Sequence, residues 1–78
     1  MSTRTTDLIA HYPMSMESVM LIVQTNGGSL DTQIKKSDGT FVTSDTITEE
    51  GAYEIFVRDS TIKFVPTGGA EFDVHEGV

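Results

Sequence analysis

The sequence predicts an all-β fold: a compact β-sandwich or partly closed barrel of about six short strands, built largely as a meander and preceded by a non-globular N-terminal arm. Three observations predict it. Turn signals recur at short intervals, at Asn26-Gly27-Gly28, Asp38-Gly39, Glu49-Glu50-Gly51, Asp59-Ser60 and Thr67-Gly68-Gly69. The segments between them are rich in Val, Ile, Phe, Tyr and Thr and mostly alternate apolar with polar, which is the period of a half-buried strand. The intervals also leave no room for a helix of more than about two turns. Residues 1–17 form the expected arm and residues 18–78 a single β domain.

The arm is assigned from composition. Ser2, Thr3, Thr5 and Thr6 are polar, and Leu8-Ile9-Ala10 is too short an apolar run for a stable helix. Pro13 would break a helix and biases Tyr12 toward extended geometry, while Met14 and Met16 offer adaptable apolar contacts. Residues 18–25 contain the longest apolar run, Val19-Met20-Leu21-Ile22-Val23. Apolar side chains on both alternating faces predict a central strand buried on two sides. Next, Leu30, Thr32 and Ile34 alternate with Asp31, Gln33 and Lys35, the pattern of a strand with one wet face.

Asp38-Gly39 supplies the pair favoured in a type I′ hairpin turn, where both central residues need positive φ. Phe41 and Val42 begin the return strand, and residues 44–48 around the lone Ile47 read as a short edge segment or crossover. In residues 52–58, Tyr53, Ile55 and Val57 share one face, with Glu54, Phe56 and Arg58 on the other, so Phe56 stands off-pattern. After Asp59-Ser60, Ile62 and Phe64 point inward until Pro66, which lacks a ladder donor, closes the strand. Phe72 and Val74 alternate with Glu71, Asp73 and His75 in a final edge strand, whose charges oppose edge-to-edge aggregation. The expected core is Val19, Leu21, Val23, Leu30, Ile34, Phe41, Ile47, Tyr53, Ile55, Val57, Ile62, Phe64, Phe72 and Val74.

Composition narrows the function classes. A chain of 78 residues is one domain, and at that size only roughly 60–65% of the unfolded surface is hidden, so association is an expected supplement to the core. Cysteine is absent, so neither a disulfide nor a thiolate metal site staples the fold; this fits a cytosolic setting. A net charge of -7 repels a phosphate backbone and argues against nucleic-acid binding. The longest apolar run is far below the ~20 residues that span a bilayer as a helix. The expectation is therefore no membrane span and no secretory leader.

Chemistry is thinly represented. His11 and His75 are the two histidines, one in the arm and one near the C-terminus, and neither stands in a spacing that pairs it with a nucleophile or a metal. Acidic residues are so frequent that Glu49-Glu50, or Asp31 with Asp38, say little about acid-base catalysis. The acidic loops lack the alternating Asp/Asn pattern of a calcium loop. The glycine pairs do not lie between a strand and a helix, as a phosphate cradle requires. The expectation is no enzyme, with no catalytic, cofactor or metal residues.

Two resemblances add to this reading. Residues 49–53, Glu-Glu-Gly-Ala-Tyr at the entry to a strand, resemble the corner before the penultimate strand of immunoglobulin-like sandwiches. That resemblance implies that the Tyr53 hydroxyl bonds back to upstream backbone and pins a crossover between sheets. The chain departs from that family in having Ile55 where a second cysteine would stand, in lacking tryptophan, and in being shorter than about 100 residues.

More of the chain, residues 30–74, resembles the small β-sandwich decoration and accessory proteins of tailed bacteriophages. The residues that carry this likeness are Asp38-Gly39-Thr40-Phe41-Val42, Thr46-Ile47-Thr48-Glu49-Glu50-Gly51-Ala52-Tyr53 and Ile62-Lys63-Phe64-Val65-Pro66-Thr67-Gly68-Gly69-Ala70. It implies a virion component assembled in the host cytoplasm, a capsid decoration or cement subunit that works by adhesion to capsid or other virion proteins. It also implies a homo-oligomer, a trimer before other states. The candidate interface residues are Ile9, Tyr12, Met14 and Met16 of the arm together with Phe56. The alternative expectation is an acidic monomeric module that inhibits a host protein.

Overall fold

The structure, a computed structural model, describes residues 4–75; the first three residues of the expected arm and the last three of the domain lie outside the described residues. Among the described residues, seven strands form two antiparallel sheets that are not closed into a barrel. They are β1 (Leu8–Tyr12), β2 (Ser18–Gln24), β3 (Ser29–Lys35), β4 (Phe41–Ile47), β5 (Gly51–Phe56), β6 (Ser60–Thr67) and β7 (Glu71–His75). One sheet has the order β1-β6-β3-β4 and the other β5-β2-β7.

That order corrects the expected meander. Only β3 and β4 are joined as a hairpin; the other five connections pass from one sheet to the other. The turn signals are real, but most of them build arches between layers. Thr25-Asn26-Gly27-Gly28 is a type I′ turn, with Asn26 at φ 50° and Gly27 at φ 86° and the Gly28 N–H donating to the Thr25 carbonyl at 2.7 Å. It links β2 to β3 across the sandwich. The one true hairpin uses different geometry from the expected pair of positive-φ residues. Gly39 has φ 93° while Asp38 does not, and Gly39 donates to the Lys36 carbonyl as Lys36 donates to that of Thr40. This is a three-residue loop ending in a left-handed glycine. The Asp38 carboxylate accepts from the Thr40 amide at 3.0 Å and its hydroxyl at 2.7 Å, which holds the carboxyl below the usual aspartate range, with Lys36 3.6 Å away assisting.

The segment expected as an arm contains a strand of the domain. β1 pairs with β6 along its whole length, and alternation turns Leu8, Ala10 and Tyr12 inward. Tyr12 is 2% exposed and belongs to the core, so it is not available to a partner. Before β1, Arg4 exchanges two backbone hydrogen bonds with Phe72 and so covers part of the β7 edge, leaving the chain to cross between sheets before β1 begins.

The core lies between the sheets, and its centre is Val19, Leu21 and Val23 of β2 facing Leu30, Ile62 and Phe64. Phe64 and Phe72 join the two layers, with ring centroids 5.5 Å apart. Burying side chains of this size stabilises by roughly 1.5–3 kcal/mol each. Of the remaining expected core residues, Ile47 and Val57 are buried, while Tyr53, Ile55 and Val74 are partly buried and packed on it. Two are corrected. Ile34 has core parity but is 39% exposed, because it pairs with the still more exposed Val42 near the hairpin. Phe41 pairs with Lys35 on the outer side of the four-stranded sheet and lies under the Lys63 ammonium, 5.7 Å from the ring centroid.

β2 is central in its sheet, as expected, yet its burial alternates strictly, with Met20 and Ile22 each 39% exposed. It is buried on one face. β4 is a single edge strand whose pairing with β3 shifts register after Thr32, leaving Ser44 as the extra residue. Thr32, 1% exposed, is reconciled with burial by this bulge: its hydroxyl bonds the Ser44 hydroxyl at 3.1 Å and the Asp45 carbonyl at 3.4 Å. β6 runs on through Pro66, beyond the point where the five-residue β1 stops pairing, so a missing donor is tolerated there.

Candidate interaction surface

The outer face of the three-stranded sheet is set by the parity of its core face. Leu21 and Val23 point in, so Ser18, Met20, Ile22 and Gln24 point out. The register then adds Ala52, Glu54 and Phe56 from β5 and Glu71, Asp73 and His75 from β7. Met20 lies between Glu54 and His75, Ile22 lies between Ala52 and Asp73, and Phe56 pairs with Ser18. The result is an apolar stripe flanked by carboxylates. Phe56 is 71% exposed, the most open of the large apolar side chains among the described residues. A shallow open hollow of about 490 Å³ adjoins the stripe, lined by Met16, Met20 and Glu54 among others. The Ser18 hydroxyl donates to Glu54 at 2.9 Å and fixes one wall of that hollow.

The expected interface residues divide three ways. Phe56 on β5 and Met14, 65% exposed in the β1–β2 connection, both stand at the same end of the sandwich. That end is tied by the Asp59 N–H donating to the Pro13 carbonyl and the Val57 N–H donating to that of Glu17. Met16 is nearby but partly buried against the core. Ile9 is exposed, yet it projects from the outer face of the other sheet, opposite Lys63. Tyr12 is inside the core. Met20 and Ile22 are not among the expected contacts, because an apolar run on both parities predicts burial on two sides. The same run fits a strand with core on one side and a contact surface on the other.

The other outer face has a different character. It presents Ile9 and His11 from β1, Thr61, Lys63 and Val65 from β6, Asp31, Gln33 and Lys35 from β3, and Phe41 from β4. The His11 Nδ1 and the Thr61 hydroxyl are 2.9 Å apart. They are directly opposed, exposed cross-strand neighbours, which accounts for the contact. His75 lies in the other sheet, so the two histidines are not brought together. Among the described residues, no group of three or more His, Asp or Glu side chains is placed to hold a metal ion.

The Tyr53 hydroxyl donates to the Glu49 carbonyl at 2.6 Å, and residues 48–50 are the crossover from β4 to β5. The bond expected from the corner pattern is therefore present. At the same end, the β2–β3 and β6–β7 arches are packed back to back. A Cβ on Gly28 would overlap the Thr67 carbonyl oxygen and lie 2.7 Å from the Gly68 backbone. The Asn26 side chain closes the junction by donating to the Gly69 carbonyl at 3.1 Å. Comparison with protein-family models, with curated proteins and with solved structures finds no match to the chain.

Proposed function

We propose that this chain is a non-enzymatic adhesion domain, and that its specific role is that of a phage virion accessory protein, a capsid decoration or cement subunit. The observation that carries the reading is the outer face of the three-stranded sheet. Met20, Ile22 and Phe56 are apolar side chains that the fold itself does not cover, beside an open hollow. Contiguous exposed apolar surface of this kind is a feature of protein contact sites. A net charge of -7 disfavours nucleic acid as the partner, and no described helix is long and apolar enough to cross a membrane. The proposed partners are capsid or other virion proteins and further copies of the chain, a trimer being the state the phage resemblance suggests.

Quantitative mass spectrometry of purified particles of the encoding phage tests the role. Stoichiometric presence supports it; absence overturns it and leaves the acidic host-protein inhibitor. Phe56→Glu tests the face. It is expected to abolish binding to particles while leaving the far-ultraviolet β signal of the free protein unchanged, because the ring adds little to the core. Binding unchanged by the substitution overturns the face as the contact.

A further inference from the structure

We infer that the partner of the three-stranded sheet's outer face is the opposite outer face of a second copy, so that the domain stacks head to tail. The inference rests on the adhesive reading of that face and names its occupant.

The two outer surfaces of one chain complement each other in charge and in apolar side chains. On the three-stranded side, Glu54, Glu71 and Asp73 accompany Met20, Ile22 and Phe56; among the described residues no Lys or Arg occupies an outward position of β2, β5 or β7, and Arg58, just past β5, lies 4.0 Å from the Glu17 carboxylate. On the four-stranded side, Lys35 and Lys63 outnumber Asp31 and accompany Ile9, Phe41 and Val65. The chain has only five Lys and Arg residues against twelve acids, so two lysines on the same face are a local reversal of its overall sign. A second three-stranded face brought against the first would oppose carboxylates to carboxylates. Brought against the four-stranded face, it meets ammonium groups, and the apolar side chains on both surfaces meet each other. Opposed like charges disfavour a contact and opposite charges set its register.

The dimensions allow it. The Cα body measures 33 × 29 × 17 Å, and its broad faces are the two sheet surfaces. Each is large enough to bury the roughly 800 Å² per partner of a specific interface. Because the two surfaces differ, the contact is heterologous, and successive copies form a closed ring if the rotation closes and an open stack if it does not.

Sedimentation velocity on the purified chain, with circular dichroism to verify folding, tests the inference. The wild type is expected to associate as concentration rises, and more weakly as salt is raised from about 0.05 to 0.5 M. Lys63→Glu and Glu54→Lys each reverse one face and are each expected to weaken self-association by about tenfold or more. Mixing the two variants is expected to restore it, since the reversed face of each fits the reversed face of the other and the native faces still match. A wild type that stays monomeric at every concentration overturns the stacking. So does an association that only one of the variants weakens, which marks a contact between identical faces, or one that mixing fails to restore. If the chain is monomeric while Phe56→Glu still loses particle binding, the adhesive function stands and the self-contact alone has failed.

Discussion

At one end of the sandwich, where residues 25–28, 48–50 and 67–70 turn, the backbones of the first and last of these turns rest directly on each other. At the other, where residues 13–17, 36–40 and 57–59 turn, most side chains stand away into solvent, Val57 and Met16 excepted. Both ends are tied by main-chain hydrogen bonds, but the first leaves no space for a side chain between the Gly28 and Gly68 segments. The second displays Met14 and Phe56, and its ion pairs, Lys36 with Asp38 at 3.6 Å and Arg58 with Glu17 at 4.0 Å, lie between exposed groups. The difference teaches where the chain specifies its own shape and where it keeps surface for something else. Where backbone excludes volume, as between Gly28 and Gly68, no side chain can be added, whereas an end built mostly of solvated side chains can be altered, or covered by a partner, without disturbing the fold.

Gly28→Ala puts the strongest strain on that contrast. Its methyl group must displace the Thr67 and Gly68 main chain, which cannot move without disturbing the β6–β7 arch, and the expected destabilisation is about 3 kcal/mol. In a domain of this size that lowers the melting temperature by roughly 12–24 °C. Gly39→Ala at the opposite end is the control. Its position is open and only the positive φ opposes a side chain, so the expected loss is about 1–2 kcal/mol. Thermal and urea unfolding of the pair decide the matter, and equal losses at the two positions break the comparison.

A smaller effect is expected at the corner of the first end. Tyr53→Phe removes the hydroxyl that holds the Glu49 carbonyl at 2.6 Å but keeps the ring, which is partly buried against the core. The expected cost is about 1 kcal/mol in equilibrium unfolding. A variant as stable as the wild type means that the crossover at residues 48–50 is held by its flanking strands alone.

How much of this could be read from the chain depends on the range of the interaction that decides each feature. The strands and turns are local, and the alternation at Leu30, Thr32, Ile62, Phe64 and Phe72 places them correctly. The Tyr53 bond is what the corner resemblance implies, and its partner lies only four residues away. Strand order was not legible, because a type I′ turn such as Asn26-Gly27 has the same residues whether it closes a hairpin or an arch. The placement of β1 depends on a partner some fifty residues downstream, His11 opposing Thr61, and nothing near Tyr12 signals that β6 will be there. Burial of Ile34 was overestimated because parity identifies a face, not whether the opposite sheet reaches far enough to cover it. For the candidate surface, off-pattern Phe56 was visible in sequence, whereas Met20 and Ile22 needed the fold to show that β2 has only one buried face.

The smallest expected effect belongs to the open end. Arg58 and Glu17 approach to 4.0 Å with side chains 60% and 69% exposed, so solvent screens their attraction and ordering two long side chains offsets most of the remainder. Arg58→Ala is therefore expected to change unfolding free energy by less than about 0.5 kcal/mol. The substitution also leaves the Val57 and Asp59 amides bonded to the Glu17 and Pro13 carbonyls, so the connection keeps its main-chain anchors. A loss comparable to that of Gly28→Ala would mean that this end is fixed as rigidly as the other, and the exposed Met14 and Phe56 beside it would then have to be reconsidered as parts of a structural joint. A loss within the expected range leaves them where the contrast puts them, on a firm backbone but outside the chain's own packing.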